Sequence, residues 1–255
     1  MPHFKLTVAY DGGGFVGWQR QPSGISIQGL LEDALAVLDG RAVPVAGAGR
    51  TDAGTHARGQ VASFTLTRAI DGTTLVRALN ANLPRSVRVR DAVEVDPDFH
   101  ARFSAIRKTY HYRVWNGEVV DPFERAYVWQ VPAPQLDVAS MARAAGLFCG
   151  THDFAAFEAI GSEPEHTTRT MTASDVTPTS KEGGTLIVFA ITGDGFLRHM
   201  VRAMIGTLVE VGRGKRSVDW VTDVLASGRR AEAGPTAPPQ GLVLVSVEYE
   251  PSGGA

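Results

Sequence analysis

One segment of this chain, residues 49–59, brings together several residue types that can take part in catalysis. It reads Gly-Arg-Thr-Asp-Ala-Gly-Thr-His-Ala-Arg-Gly and contains the carboxylate of Asp52, the guanidinium groups of Arg50 and Arg58, and the imidazole of His56. A loop carboxylate can act as a nucleophile or a general base, and a neighbouring arginine favours its ionised form. The alternative is an ordinary turn in which Asp52 accepts a hydrogen bond from a backbone amide.

The elements on either side of this segment are predicted to be strands. Residues 43–45 are a candidate for a short strand, and residues 61–66 have the composition of a longer one. The polar, glycine-rich residues 47–59 between them are predicted to form a loop. Loops that a rigid sheet holds in place are where catalytic residues concentrate, so this context favours a functional interpretation.

The rest of the first half mixes strands and helices. Alternation of apolar and polar residues predicts strands over residues 4–10 and 87–95. Helical spacing predicts a helix over residues 27–38, which Ser26 would cap, and another over residues 73–83. Because these elements do not follow a regular parallel βαβ order, the sequence predicts an α+β fold with an antiparallel sheet.

The second half repeats this mixture. Its predicted strands cover residues 108–115, 168–176, 186–192 and 242–247, and its predicted helices cover residues 136–148, 196–211 and 218–226. The chain is therefore predicted to form two α+β subdomains, residues 1–105 with the catalytic loop and residues 106–255. A strand followed by a glycine-rich turn and phenylalanine occurs in each half, which indicates either two related subdomains or one type of turn used twice.

The predicted helix over residues 196–211 carries two arginines that would share a face. Arg198 and Arg202 are four residues apart, which places their side chains on the same side of a helix. Two guanidinium groups there could hold a phosphate, or one of them could pair with a buried acid. A solvated helix face is the alternative interpretation.

Composition and charge narrow the possible classes of protein. The chain has 255 residues, 44% of them hydrophobic, one cysteine, and no apolar run long enough to span a bilayer. Its first ten residues do not form a signal-peptide core, so a soluble cytoplasmic protein is expected. The net charge of −2 argues against a strongly basic nucleic-acid binder, but residues 50–113 hold eleven Lys or Arg against six Asp or Glu. That local excess could form a basic face for phosphates, or an ordinary solvated surface.

Metal and nucleotide motifs are missing from the sequence. None of the seven histidines has the close His, Cys or acid spacing of a zinc site. The glycines at residues 12–14 follow a strand, but the Lys and Ser or Thr of a Walker motif are absent. No metal and no cofactor is therefore expected.

Ordered motifs along nearly the whole chain resemble the tRNA pseudouridine synthase A family. Any one of them is weak, whereas the ordered set is specific. They lie at residues 10–21, 26–28, 49–61, 102–103, 107–112, 152–157, 169–170, 195–202 and 241–242. The visible departure is Thr55, where the family loop usually carries valine, and little effect is expected because both residues are small and β-branched.

The resemblance implies a fold, a reaction and roles for individual residues. The fold would be two similar subdomains that share a central, mostly antiparallel sheet flanked by helices. The reaction would isomerise uridine to pseudouridine at positions 38–40 of the anticodon stem-loop of tRNA, after base flipping, in a homodimer without cofactor or metal. Asp52 would be the essential aspartate, Tyr110 the aromatic that stacks on the target base and could act as a base, and Arg202 the basic partner of the aspartate. The implied substrate-binding residues are Arg50, His56, Arg58, Arg107, Lys108 and Arg198.

Two other functions compete with this interpretation, and part of the mechanism stays open. A non-catalytic RNA-binding module would use the same basic residues but would not need Asp52. A hydrolase with Asp52 as its nucleophile would need a partner acid, base or metal, and the sequence offers no convincing set. For the isomerase, the sequence does not separate attack at uracil C6 from attack at ribose C1′ or from initial removal of the 2′ proton.

Overall fold

The computed structural model describes residues 1–162 and 165–250, and the chain divides into two compact units. The N-terminal unit comprises Met1–Ile106 and the segment that starts at Leu244. The central unit comprises Arg107–Val243. The predicted subdomains 1–105 and 106–255 stay a prediction, although the segment from Leu244 onward lies with the N-terminal unit.

The sheet of the N-terminal unit is built around its first strand. Strand β1 (His3–Tyr10) pairs antiparallel with both β3 (His56–Thr65) and β4 (Val87–Val95), and the short β2 (Ala46–Gly47) pairs with β3. Every second residue of β1 is buried, as the alternation of apolar and polar residues in its sequence predicts. The last strand of the chain, Leu242–Tyr249, lies next to β3 through its residues from Leu244 onward.

Two helices cover this unit, and their ends follow from local chemistry. Helix α1 (Ile27–Asp39) begins where the Ser26 hydroxyl accepts a hydrogen bond from the Gly29 amide, and it ends at Gly40 with a φ of 73°. Helix α2 (Gly72–Asn82) contacts β4, and its N-terminus is capped by the Asp71 carboxylate. Both helices bury apolar side chains at helical spacing, which explains why the sequence pattern located them.

The central unit is a second mixed assembly of strands and helices. Its sheet has the order β5 (Ala105–Asn116), β9 (Gly184–Gly193), β8 (Thr168–Lys181) and β7 (Gly150–Asp153), with antiparallel pairs throughout, and β6 (Trp129–Val131) runs parallel to β5. Its helices are α3 (Val138–Gly146), α4 (Met200–Gly212) and α5 (Trp220–Ser227), and α3 contacts both α4 and β8. The predicted α+β class with a mostly antiparallel sheet is confirmed.

Several predicted element boundaries were wrong, and for two helices the structure shows a local cause. Helix α4 starts at Met200 rather than at residue 196, because His199 has a φ of 62° in the left-handed region, which a right-handed helix does not contain. Helix α3 is shorter than residues 136–148 because the Asp137 side chain caps it by accepting the Ser140 amide. The predicted strand at residues 43–45 is not a strand, and β3 already begins at His56, so the loop before it ends at residue 55 rather than at residue 59.

Gly17 holds the segment before α1 against the backbone of the loop that contains Asp52. It has a φ of +106°, and a Cβ at this position would lie 2.5 Å from the carbonyl oxygen of Thr51 and 3.1 Å from the amide nitrogen of Ala53. The next residue, Trp18, donates its backbone N–H to the same Thr51 oxygen at 3.1 Å. Only glycine combines this conformation with this close approach.

Replacing Gly17 with alanine is expected to displace the loop as well as strain the backbone. The control is Gly40→Ala, because Gly40 also has a positive φ, of 73°, but a Cβ added there would meet no atom within 4 Å. Both variants should lose about 1 kcal/mol of the free energy of unfolding from the backbone conformation alone. In urea unfolding experiments Gly17→Ala should lose clearly more than Gly40→Ala, and equal losses would contradict the proposed collision with the loop.

Candidate active site

The loop before β3 presents Asp52 at a turn whose backbone is fixed. Asp52 is half-buried, and its carbonyl oxygen accepts the backbone N–H of Thr55 at 3.1 Å. Gly54, inside this turn, has a φ of 77°, a conformation that glycine adopts without steric cost. The carboxylate therefore projects from a tight turn that is tied back to the start of β3.

A buried group of three polar side chains supports the residues just before Asp52. The hydroxyl oxygen of Tyr10 lies 2.8 Å from that of Thr51, and the Gln60 amide nitrogen donates to the Tyr10 oxygen at 3.3 Å. The same Gln60 nitrogen donates to the carbonyl oxygen of Gly49 at 3.0 Å. We call these three side chains, Tyr10, Thr51 and Gln60, the buried clamp, because they join β1 and β3 to the loop.

The direction of the hydrogen bonds in the buried clamp follows from the Gln60 amide. Its oxygen accepts the backbone N–H of Val61 at 3.2 Å, so its NH₂ group faces Tyr10 and Gly49. Because the Tyr10 oxygen accepts from Gln60, its own proton is available to donate to Thr51. Each of these buried polar groups thus has a partner, which avoids the cost of roughly 1–3 kcal/mol that an unsatisfied one carries.

Burial of Tyr10 has a measurable electrostatic consequence. Its side chain is 4% exposed, and burial raises its pKa from 10.0 to about 12, although the hydrogen bonds with Thr51 and Gln60 lower it in part. The phenol therefore stays protonated throughout the neutral range and keeps its role as a donor in the buried clamp.

His56 lies in the interior at the start of β3. It is 5% exposed, and its Nδ1 atom accepts the backbone N–H of Gly12 at 3.0 Å. The Asp11 carboxylate oxygen is 3.1 Å from the same nitrogen, but it also accepts the Gly13 amide. Since a backbone N–H can only donate, Nδ1 is an acceptor here, and we interpret the contact with Asp11 as proximity rather than an ion pair. The predicted role of His56 in binding substrate stays a prediction, and in the structure its ring supports the Gly12 turn.

The two arginines of the loop segment are exposed, and one of them is oriented by neighbouring amides. Arg50 donates from Nε to the side-chain oxygen of Gln19 at 3.2 Å, and Gln19 donates to Gln28 on α1 at 2.6 Å. Arg58 lies on β3 and is also exposed. Both guanidinium groups are therefore accessible to an anion.

In the central unit, Tyr110 is packed against an aromatic neighbour, Phe196, for which the sequence analysis predicted no role. Tyr110 lies on β5, is 7% exposed, and meets the ring of Phe196 edge-on at a centroid distance of 4.9 Å and an interplanar angle of 77°. Tyr112, two residues along, is on the same face of the strand and donates to the carbonyl oxygen of Pro238 at 2.7 Å. In the sequence, Phe196 is marked by its place in the motif over residues 195–202.

Arg202 lies in the first turn of α4, and both its side chain and its backbone form a hydrogen bond with Ala237. Its Nε donates to the carbonyl oxygen of Ala237 at 2.7 Å, and its own carbonyl oxygen accepts the Ala237 N–H at 3.0 Å. Burial raises the pKa of Tyr112, and the positive charge of Arg202 offsets part of that rise. Arg202 and Tyr110 are thus both neighbours of Tyr112, and the central unit brings these two predicted catalytic residues into one region.

The remaining predicted binding residues have different surroundings. Arg198 is exposed and precedes α4, so it does not share a helical face with Arg202 as predicted; its carbonyl oxygen accepts the Ala159 N–H at 2.9 Å. Arg107 is exposed and Lys108 half-buried on β5. Among residues 1–162 and 165–250, no group of three or more His, Cys, Asp or Glu side chains could hold a metal ion. No helix in that part of the chain is long and apolar enough to cross a membrane.

Comparison with known proteins identifies the family. Residues 6–104 and 144–250 match the sequence profile of a family described as tRNA pseudouridine synthase. The chain belongs to the tRNA pseudouridine synthase family. It is 50% identical over 249 residues to tRNA pseudouridine synthase A of Myxococcus xanthus, covering 98% of this chain and 92% of that protein. It is also 47% identical over 251 residues to the Moorella thermoacetica protein of the same name, covering 98% of this chain and 100% of that one.

Membership of the tRNA pseudouridine synthases makes this chain an isomerase and confirms the resemblance seen in its motifs. A third relative, tRNA pseudouridine synthase A of Methylacidiphilum infernorum, is 45% identical over 248 residues, which are 97% of this chain and 96% of that one. The individual site residues stay predictions, because family membership does not by itself assign a role to each side chain.

The raised pKa of Tyr10 predicts how the stability of this synthase depends on alkaline pH. A folded-state pKa above the unfolded value gives a stabilising contribution that is complete below pH 10 and is lost as the pH rises towards about 12. Urea unfolding of the wild type should therefore show a steeper loss of stability above pH 10 than Tyr10→Phe does. At pH 7 the same variant should lose about 1 kcal/mol, because Thr51 loses its phenol partner. Parallel curves for the two proteins above pH 10 would show that Tyr10 is not buried in this way.

Proposed function

We propose that this chain converts uridine to pseudouridine at positions 38–40 of the anticodon stem-loop of tRNA, with Asp52 as the nucleophile. The observation that carries the proposal is the way the loop presents Asp52. The carbonyl oxygens of Gly49, Thr51 and Asp52 each accept a specific hydrogen bond, and the Thr51 side chain is held by Tyr10. A reactive carboxylate that is fixed in this way needs little reorganisation when the reaction occurs.

The reaction suits a site that consists of a carboxylate and hydrogen-bonding groups. Isomerisation breaks the C1′–N1 bond, turns the uracil, and joins C1′ to C5, with no net oxidation or hydrolysis. A carboxylate is a suitable nucleophile for an electrophilic carbon. Attack at C6, attack at C1′ and removal of the 2′ proton are all steps that a carboxylate can carry out.

The target base must leave its stack before a side chain can reach it. We assign Tyr110 to stack on the flipped uracil, a role supported by the edge-on contact with Phe196, which limits the orientations that the tyrosine ring can adopt. The assignment of Arg202 as the basic partner of Asp52 rests on the family resemblance. The hydrogen bond from its Nε to Ala237 supports it in one respect, since this bond limits the orientations of the guanidinium group.

Contacts with the RNA backbone are proposed for the accessible basic side chains of both units. Arginines bind phosphates through paired N–H groups, and a folded RNA is recognised largely by its shape and its phosphates. A homodimer remains a prediction of the family resemblance, and a cytoplasmic location and independence from metals remain predictions of the sequence. The basic residues in question are Arg50, Arg58, Arg107, Lys108 and Arg198.

Asp52→Asn is expected to abolish turnover and to leave RNA binding intact. The substrate is a tRNA transcript with tritium at uracil C5 and uridine at positions 38–40, and release of tritium to water measures the reaction, because isomerisation expels the C5 hydrogen. The wild type should release tritium, and the variant should release none while its Kd for the tRNA stays within about twofold. Substrates with uridine at only one of the three positions then show which of them is used.

Two results of that assay would contradict the proposal in different ways. Tritium release by Asp52→Asn at the wild-type rate would remove Asp52 as the nucleophile. No release by a folded wild-type protein that binds the tRNA would favour the non-catalytic RNA-binding module.

Two variants of Tyr110 separate its ring from its hydroxyl. Tyr110→Phe keeps the aromatic face, so the Kd should change little, whereas kcat should fall by about 100-fold or more if the hydroxyl transfers a proton. Tyr110→Leu removes the face as well and should weaken binding by about 1–3 kcal/mol. Measured kcat and Kd for both variants test this, and a wild-type kcat for Tyr110→Phe would exclude a role for the hydroxyl.

A further inference from the structure

A short turn in the N-terminal unit presents an aromatic side chain to solvent on a rigid base. Ala101, in the middle of the turn, is completely buried; its N–H donates to the Ser63 hydroxyl at 3.1 Å, and its carbonyl oxygen accepts from the Tyr249 hydroxyl at 2.7 Å. His100 and Ser104 close the turn, because the His100 N–H donates to the Ser104 hydroxyl at 3.0 Å and the Ser104 N–H donates to the His100 carbonyl at 2.9 Å. The turn is therefore fixed to the sheet by its backbone.

Phe103 projects from this turn with its ring largely uncovered. Its side chain is 76% exposed, although the backbone of the turn that carries it is firmly held. The His100 ring lies 4.4 Å from the Phe103 ring at an angle of 34°, and the Arg102 guanidinium is 5.5 Å from the same ring centroid. We call His100, Arg102 and Phe103 together the exposed platform.

The charge around the exposed platform favours an anionic partner. Arg102 is the charged residue of residues 99–106, which contain no Asp or Glu. The nearest acids in the sequence are Asp98 and Asp96, and the Asp96 carboxylate is already used to accept the Asp98 N–H at 2.8 Å. An aromatic face flanked by a guanidinium group is the arrangement on which unpaired nucleobases stack.

We infer that the exposed platform is a second RNA-binding site, where Phe103 stacks on an unpaired base of the tRNA and Arg102 contacts an adjacent phosphate. This inference rests on the proposed function, because it takes a folded tRNA as the substrate. A rigid turn suits such a contact, since the ring needs no ordering when the base binds.

The exposed platform is remote from the nucleophile within the same unit. Asp52 precedes the start of β3 at His56, whereas the turn is attached to Ser63 near the other end of that strand. At about 3.3 Å per residue the two points are roughly 20 Å apart along β3. A folded tRNA can span this distance, and loss of the contact should change binding without changing the chemical step.

A second copy of this chain is the less favoured occupant. In a two-fold symmetric interface centred on this patch, the same residues face each other across the axis, so the two copies of Arg102 would approach each other. Like charges in such a position destabilise an interface, whereas an RNA phosphate neutralises the guanidinium group.

The test compares two exposed phenylalanines. Phe103→Ala should weaken the Kd for a tRNA transcript by roughly 5-fold to 100-fold, the range expected for the loss of one base–aromatic stack. The matched control is Phe123→Ala, because Phe123 is 89% exposed and loses the same side-chain atoms, and its Kd should stay within about twofold of wild type. Phe103→Trp keeps an aromatic face and should bind at least as tightly as wild type.

Two further measurements identify what the platform binds. Arg102→Ala should reduce the slope of log Kd against log salt concentration by about one, as expected for one lost phosphate contact. A blunt RNA duplex without unpaired bases should bind Phe103→Ala and wild type equally well. Unchanged tRNA affinity of Phe103→Ala would overturn the inference, and so would a change from dimer to monomer in sedimentation, which would assign the surface to a second copy.

Failure of this inference can be told apart from failure of the proposed function. With saturating tRNA, Phe103→Ala should release tritium from C5 at the wild-type kcat, with only its KM raised. If the wild-type enzyme released no tritium, the proposed reaction would fail while the binding comparison of Phe103 and Phe123 would stand. If tritium were released and Kd did not depend on Phe103, only the inferred second site would fail.

Discussion

The hydrogen bond between the hydroxyl groups of Tyr10 and Thr51 is the interaction on which the candidate nucleophile most depends. It joins the last residue of β1 to the residue before Asp52 in the interior of the N-terminal unit, where water cannot replace a lost partner. Gln60 extends the same arrangement to Gly49. A substitution that breaks this hydrogen bond would therefore weaken the sheet and displace the loop at the same time.

In the central unit, too, the candidate catalytic side chains are held by contacts with neighbouring residues. Arg202 is held by the backbone of Ala237, and the ring of Tyr110 is held by the edge of Phe196. In both units, hydrogen bonds and packing with neighbouring residues help to orient the side chains assigned to chemistry. Buried hydrogen bonds and aromatic contacts are little affected by salt, whereas contacts with RNA phosphates depend on it strongly.

Local patterns in the sequence were sufficient to locate most strands and helices, but they did not show which residues contact one another in the fold. The alternation in β1 and the Ser26 cap of α1 are properties of neighbouring residues, so both were predicted. The start of α4 was not, because the left-handed backbone of His199 leaves no mark in the pattern of apolar residues.

The role of Tyr10 was missed for another reason, since Thr51 and Gln60 lie 41 and 50 residues away in the sequence. An ordered set of motifs indicated that Asp52 is important, whereas the contacts that hold its loop in place could be seen only in the folded structure.

The way the loop is anchored also affects how this enzyme can evolve. Its supporting contacts are made by backbone carbonyls and by the buried side chains of Thr51, Tyr10 and Gln60, while Arg50, Ala53 and Arg58 face outward. Substitutions at the outward positions leave those supporting contacts in place. Natural variation at these outward positions can therefore change the outer surface of the loop while its internal geometry is inherited unchanged, so that surface and scaffold are free to diverge separately among descendants of one ancestral loop.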